Sequence, residues 1–134
     1  MREKEKKMYR NNLAYNTYAQ NNASIESPYK LIEMMYEGIL RFNAQIKKAM
    51  RDGDIEKRAY WTGRSSAIFS ELMSILDASQ GDIAHYLSGL YTYQLKLLID
   101  ASSSNDSSKI DEVNNVVKGL LEAWKEETHV AQEI

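Results

Sequence analysis

The chain contains no cysteine. Disulfide cross-links and thiolate metal sites are therefore excluded. It has one proline and two histidines, so turns must be made by other residues and few groups can titrate near neutral pH. The formal net charge is only −2, which argues against a molecule built as a nucleic-acid binder. No apolar run approaches the roughly 18 residues of a membrane-spanning helix. The basic residues of Met1-Arg2-Glu3-Lys4-Glu5-Lys6-Lys7 are not followed by the apolar stretch of a signal peptide. No segment alternates apolar and polar residues with period two, so no sheet is expected. These absences predict a cytoplasmic protein without membrane insertion, long enough at 134 residues for a single core.

The single proline marks where the ordered part begins. Ser27 is a strong N-cap type, and Pro28 then falls at the first helical position, where its missing N–H costs nothing. Ile32, Met35, Ile39, Phe42, Ile46 and Ala49 follow at steps of three and four, one face of a helix over 28–51. Gly53 suits the left-handed stop and Asp54 the next cap. A second helix is predicted over 55–78 with Trp61, Ile68, Leu72 and Ile75 inward. Gly81-Asp82 punctuates again, and a third helix is predicted over 83–101. Ser102-Ser103-Ser104-Asn105-Asp106 is turn chemistry. A fourth helix is predicted over 107–128, with Ile110, Val113, Val117, Leu120 and Trp124 as its stripe and a fraying tail. Four helices of similar length with short links predict an all-α, antiparallel up-down-up-down four-helix bundle over 27–130. Residues 1–26 read as a flexible N-terminal arm or short helix.

The third helix has more apolar surface than one neighbouring layer can cover. At about 100° per residue its apolar side chains spread over roughly 200°, against a little over 100° for an ordinary surface helix. Two readings follow. The helix is buried between two neighbours, or it presents a groove to a partner helix, covered at rest by the aromatic arm. On the second reading Leu87, Tyr91, Leu95 and Leu98 are the candidate partner-binding residues, and Leu13, Tyr15 and Tyr18 the candidate lid. Gln94 falls within the same arc and is expected to be a satisfied polar group in the core.

Catalytic chemistry is sparse. There is no phosphate loop and no nucleophile with a base nearby. Asp82-x-x-His85 and Glu126-x-x-His129 each set a carboxylate one turn before a histidine, but both lie at helix ends, where acids and cations collect for electrostatic reasons. Metal-binding bundles place such motifs inward in mid-helix. Glu33 and Glu37 read as solvated surface. No catalytic, cofactor or metal site is expected.

Ordered motifs carry a family resemblance. They are Tyr15-x-x-Tyr18, then Ser27-Pro28-x-Lys30-Leu31-Ile32-x-Met34-Met35-Tyr36-Glu37-Gly38, then Gly81-x-Ile83-Ala84-x-x-Leu87-x-x-Leu90-Tyr91-x-Tyr93. Ala101-x-x-x-Asn105-Asp106-x-x-x-Ile110-x-Glu112-Val113 and Ala123-Trp124-Lys125 complete the set. Together they resemble the flagellar export chaperones of the FliS family over about residues 13 to 127. Thr92, Gln94 and Lys96-Leu97 depart from that pattern. The resemblance implies a cytosolic chaperone, not an enzyme. It would bind the disordered C-terminal segment of flagellin, prevent premature polymerisation and deliver flagellin to the export apparatus. The export gate protein and the assembly factor FliW are implied as further partners, and a monomer or weak homodimer is expected. A self-associating helical adaptor and a metal-binding four-helix bundle stay open as alternatives.

Overall fold

A computed structural model describes residues 28 to 133 of the chain. By compactness the chain divides after Leu31, and the packing described here is that of the unit beginning at Ile32. Four helices follow one another: α1 (Pro28–Asp52), α2 (Ile55–Ser74), α3 (Asp82–Ser104) and α4 (Ser107–Glu133). A single 3-10 turn, Ala78–Gln80, joins α2 to α3.

The helix boundaries are set by local side-chain chemistry. Gly53 takes a positive φ of 68°, a conformation that costs glycine no Cβ clash. Asp54 caps α2 by accepting a hydrogen bond from the Lys57 N–H at 3.0 Å. The α2 helix stops at Ser74, earlier than expected. The Leu76 N–H tightens onto the Met73 carbonyl, and Asp77 accepts from the Ser79 N–H at 2.9 Å, which caps the 3-10 turn instead. The Ser79 hydroxyl and N–H hold the Asp77 carboxyl below the usual carboxylate range. The α3 helix runs three residues past the expected end, and in that last turn the Ser103 and Ser104 hydroxyls bond back onto the Asp100 carbonyl. Asn105 then adopts the left-handed conformation with φ 54°, which asparagine tolerates better than most residues. Asp106 accepts from both the hydroxyl and the N–H of Ser108, which starts α4. The α4 helix continues to Glu133, past the predicted 128.

Bonds between helices give the topology. Asn43 of α1 meets Ser65 of α2 and Asn114 of α4. Lys47 meets Asp111, and further back along α1 Glu37 meets Lys125 at 3.8 Å. Residue numbers rise on one helix as they fall on the other, so α1 and α4 are antiparallel. Phe42–Trp61 with Asn43–Ser65, and the approach of Gly38 to Ile68, make α1 and α2 antiparallel. Thr62–Ser102 and Met73–Thr92 do the same for α2 and α3. The result is the expected up-down-up-down bundle.

Ile39 and Ile46 of α1, Phe69 and Leu72 of α2, Leu98 of α3, and Ile110, Val113 and Val117 of α4 fill the core, each essentially fully buried. Full burial of such side chains is worth about 1.5–3 kcal/mol each. One expectation for α2 fails. Ile75 is exposed and Phe69 is fully buried, because the inward face runs through Ser65. The Ser65 Oγ donates to Asn43 Oδ1 at 2.7 Å inside the bundle. The Asn43 Nδ2 in turn donates to Asn114 Oδ1 at 2.8 Å. One buried asparagine thus ties three helices in register. Glu33, expected to be solvated, is buried.

Candidate functional site

The four residues proposed for partner contact do not share one surface. Leu87 and Leu95 are half-buried and pack against the core. Tyr91 is 2% exposed and Leu98 fully buried. Placing Tyr91 and Leu98 on the outer face of α3 is therefore corrected: both belong to the bundle interior. The Tyr91 hydroxyl lies 2.6 Å from that of Tyr36 on α1, and burial raises the pKa of both phenols. Leu13, Tyr15 and Tyr18 lie outside the described residues.

The exposed apolar side of α3 is a second stripe. Ile83, Tyr86 and Tyr93 are 65%, 66% and 61% exposed, with half-buried Leu90 and Leu97 between and beyond them. Ile83, Tyr86, Leu90, Tyr93 and Leu97 repeat at three-four-three-four, one helix face. The hydrogen bonds locate that face. Thr92 and Ser102 turn one flank of α3 toward α2, and the stripe lies on the other flank, toward α4. On α4, Asp111, Asn114 and Lys125 face α1. Half-buried Val116 and exposed Ala123 lie on the opposite flank, toward α3. The two apolar flanks border one seam. Gly119 sits between Val116 and Ala123 in sequence, and a Cβ built there would meet nothing within 4 Å. The seam therefore combines protruding tyrosines on α3 with a low surface on α4, a shape that suits a helix laid along it.

Gln94 is buried beside this stripe, and its Oε1 has no hydrogen-bond partner among the described residues. The expectation of a satisfied amide thus fails for its oxygen. A separate cleft of about 400 Å³ lies where α2, the 3-10 turn and α3 meet, lined by Met73, Leu76, Ala78, Gly81, Ala84, His85 and Ser88. His85 is exposed there and is the one titratable side chain in that lining. Among the described residues no three His, Asp or Glu side chains gather to hold a metal ion. Among them also, no helix is long and apolar enough to cross a membrane.

The family model "Flagellar protein FliS" matches residues 10–132 of this sequence. The chain belongs to the FliS family. A FliS described as a flagellar secretion chaperone from Campylobacter jejuni is 60% identical, over 87% of this chain and 91% of the relative. The FliS of Salmonella typhimurium is 31% identical over 75% of this chain and 76% of its own. That of Bacillus subtilis is 27% identical over 84% of each. A crystal structure of a bacterial flagellar chaperone superposes with a TM-score of 0.73 at 18% identity, covering 89% of this chain and 98% of the other, and shares the fold. The FliS bundle thus accommodates wide sequence change while keeping its helical frame.

The α3 stripe was detectable before the structure. Its three-four spacing runs beside the core spacing of Ala84, Leu87, Tyr91 and Leu98, so the 200° arc was two adjacent stripes rather than one broad face.

Proposed function

We propose that this chain is a cytoplasmic flagellar secretion chaperone that holds the C-terminal segment of flagellin along the α3/α4 seam. The observation that carries the reading is the row of exposed apolar side chains at Ile83, Tyr86 and Tyr93 on a helix already filled on its core side. A contiguous exposed apolar row of this kind is a mark of interaction sites. A client segment that orders on binding loses about 2–5 kcal/mol of its interaction energy to ordering. Burial of the tyrosines and leucines of the seam, at about 25 cal/mol per Å², offsets that cost. While the segment is held it is unavailable for polymerisation. Delivery to the export apparatus, with the export gate protein and FliW as further partners, completes the role that the family resemblance implies. The names of the relatives from Campylobacter, Salmonella and Bacillus support the secretion-chaperone reading.

Leu13, Tyr15 and Tyr18 fit the same proposal as a tethered competitor for the seam. A short tether gives an effective concentration on the order of millimolar, so weak docking suffices. Deleting residues 1 to 22 is expected to increase binding of a hydrophobic dye, and unchanged dye binding by a folded bundle would remove the competitor role.

Co-purification with full-length and C-terminally truncated flagellin tests the main reading. Capture of the full-length protein and loss of the truncated one is expected. Equal capture of both would place recognition elsewhere on flagellin.

A further inference from the structure

The seam between α1 and α2, on the opposite side of the bundle, carries a different chemistry. Arg41 of α1 and Arg64 of α2 both stack on the ring of Phe42, with guanidinium carbons 5.6 and 5.2 Å from its centroid. Arg64 also lies 5.9 Å from the Tyr60 ring and donates a hydrogen bond to the Tyr60 hydroxyl at 3.2 Å. Trp61 completes the group, 5.4 Å from Phe42 and 4.9 Å from Tyr60. Both arginines are exposed. Neither pairs with a carboxylate among the described residues.

Aromatic contact holds each guanidinium at this face; Arg64 gives one N–H to Tyr60, and a guanidinium has five donors, enough to receive a carboxylate as well. Two like charges held near one ring with no acidic partner among the described residues favour an anion at this face. Arginine, tyrosine and tryptophan are also the residues that concentrate binding energy at protein interfaces. Charge is polarised in the same sense. The α1 and α2 helices together carry eight Lys or Arg against five Asp or Glu, whereas α3 and α4 carry four against eight.

We infer that the Arg41–Phe42–Arg64–Tyr60 face is a second docking site, which takes a carboxylate-bearing segment of a partner protein independently of the α3/α4 seam. Its place far from that seam leaves both sites free to be filled at once. A continuous phosphate backbone fits less well, because nucleic-acid affinity grows with the number of phosphates neutralised and five acidic residues share these two helices. A second copy offering its acidic α4 would make a head-to-tail contact, forming a ring or a filament according to whether its rotation closes.

The test uses the full chain and a labelled short peptide of Glu-Glu-Phe-Gly repeats, with the same peptide carrying Gln for Glu as control. Fluorescence anisotropy is expected to show the Glu peptide binding at least about tenfold more tightly than the Gln peptide, with affinity falling as salt rises. Arg41→Gln with Arg64→Gln should abolish that preference while helical circular dichroism is unchanged. Gly119→Leu, on the other seam, should leave it intact. Equal binding of the two peptides, or an unaffected double variant, overturns the inference. So does loss of peptide binding in Gly119→Leu, which would move the peptide to the α3/α4 seam. A uridine oligonucleotide that binds this face in preference to the peptide would assign it to nucleic acid. Self-association abolished by the double variant, read by light scattering, would assign it to a second copy. Either result also overturns the inference.

Discussion

The hydroxyls of Tyr36 and Tyr91 lie 2.6 Å apart, joining α1 to α3 across the interior of the bundle. Both rings are buried. For Tyr91, burial and the hydrogen bond with Tyr36 both raise the pKa; for Tyr36, burial raises it and the bond to Tyr91 partly opposes the shift. A group whose pKa is raised by folding holds its proton more tightly in the native state. Its stabilising contribution is complete below the unfolded tyrosine value of about 10 and is lost as pH rises beyond it. The midpoint of urea unfolding should therefore fall as pH increases past about 10, and fall less in a Tyr36→Phe, Tyr91→Phe double variant. A midpoint equally sensitive to alkali in both proteins would contradict this.

The same pair should behave as a unit. Either single Tyr→Phe change leaves one buried hydroxyl without its partner and should cost about 1–3 kcal/mol. The double change should cost less than the two single changes added together. Chemical denaturation of the four proteins checks this, and strict additivity would mean that the contact carries no coupling energy.

Asn43 is fully buried and bonds Ser65 and Asn114 at once. Asn43→Ala should destabilise the bundle by about 2–4 kcal/mol, since two polar partners lose their bonds and a small cavity opens. Asn43→Asp should not rescue it, because it removes the donor to Asn114 and buries a carboxyl. A shift in melting temperature of a degree or less in Asn43→Ala would show that the network is not structural.

Gln94 offers the reverse case. Its buried Oε1 has no partner among the described residues. Gln94→Met keeps the length of the side chain and removes the polar atoms, so stability should rise by about 1 kcal/mol. A lower unfolding midpoint would mean that the amide is satisfied after all.

Much of the frame was legible because it is written in short-range chemistry. Pro28, Gly53-Asp54, Gly81-Asp82 and Asn105-Asp106 each act through their own backbone or a neighbour a few residues away, and each marks a helix boundary to within a few residues. The α4 stripe was equally plain, since Ile110, Val113 and Val117 are apolar and fully buried. What was not legible depends on distant partners. Asn43 and Ser65 look like surface residues until each supplies what the other needs, and counting only apolar positions then tilts the predicted inward face of α2 away from Phe69. On α3, Tyr86, Tyr91 and Tyr93 are the same residue type within one helix, yet only Tyr91 is buried. Which part of a wide apolar arc turns inward is decided by where α2 and α4 lie, and nothing local encodes that.

If flagellin lies along the α3/α4 seam, Gly119 is the position at which to block it. A side chain added there meets open space, and replacing a mid-helix glycine by leucine should stabilise the free bundle by up to about 1 kcal/mol. The same leucine would occupy the low side of the seam proposed for the client helix. Calorimetric titration of the flagellin C-terminal segment into wild type and Gly119→Leu should show binding weakened at least tenfold, about 1.4 kcal/mol, by a variant that melts no lower than wild type. Undiminished binding by the folded variant would place flagellin away from the α3/α4 seam.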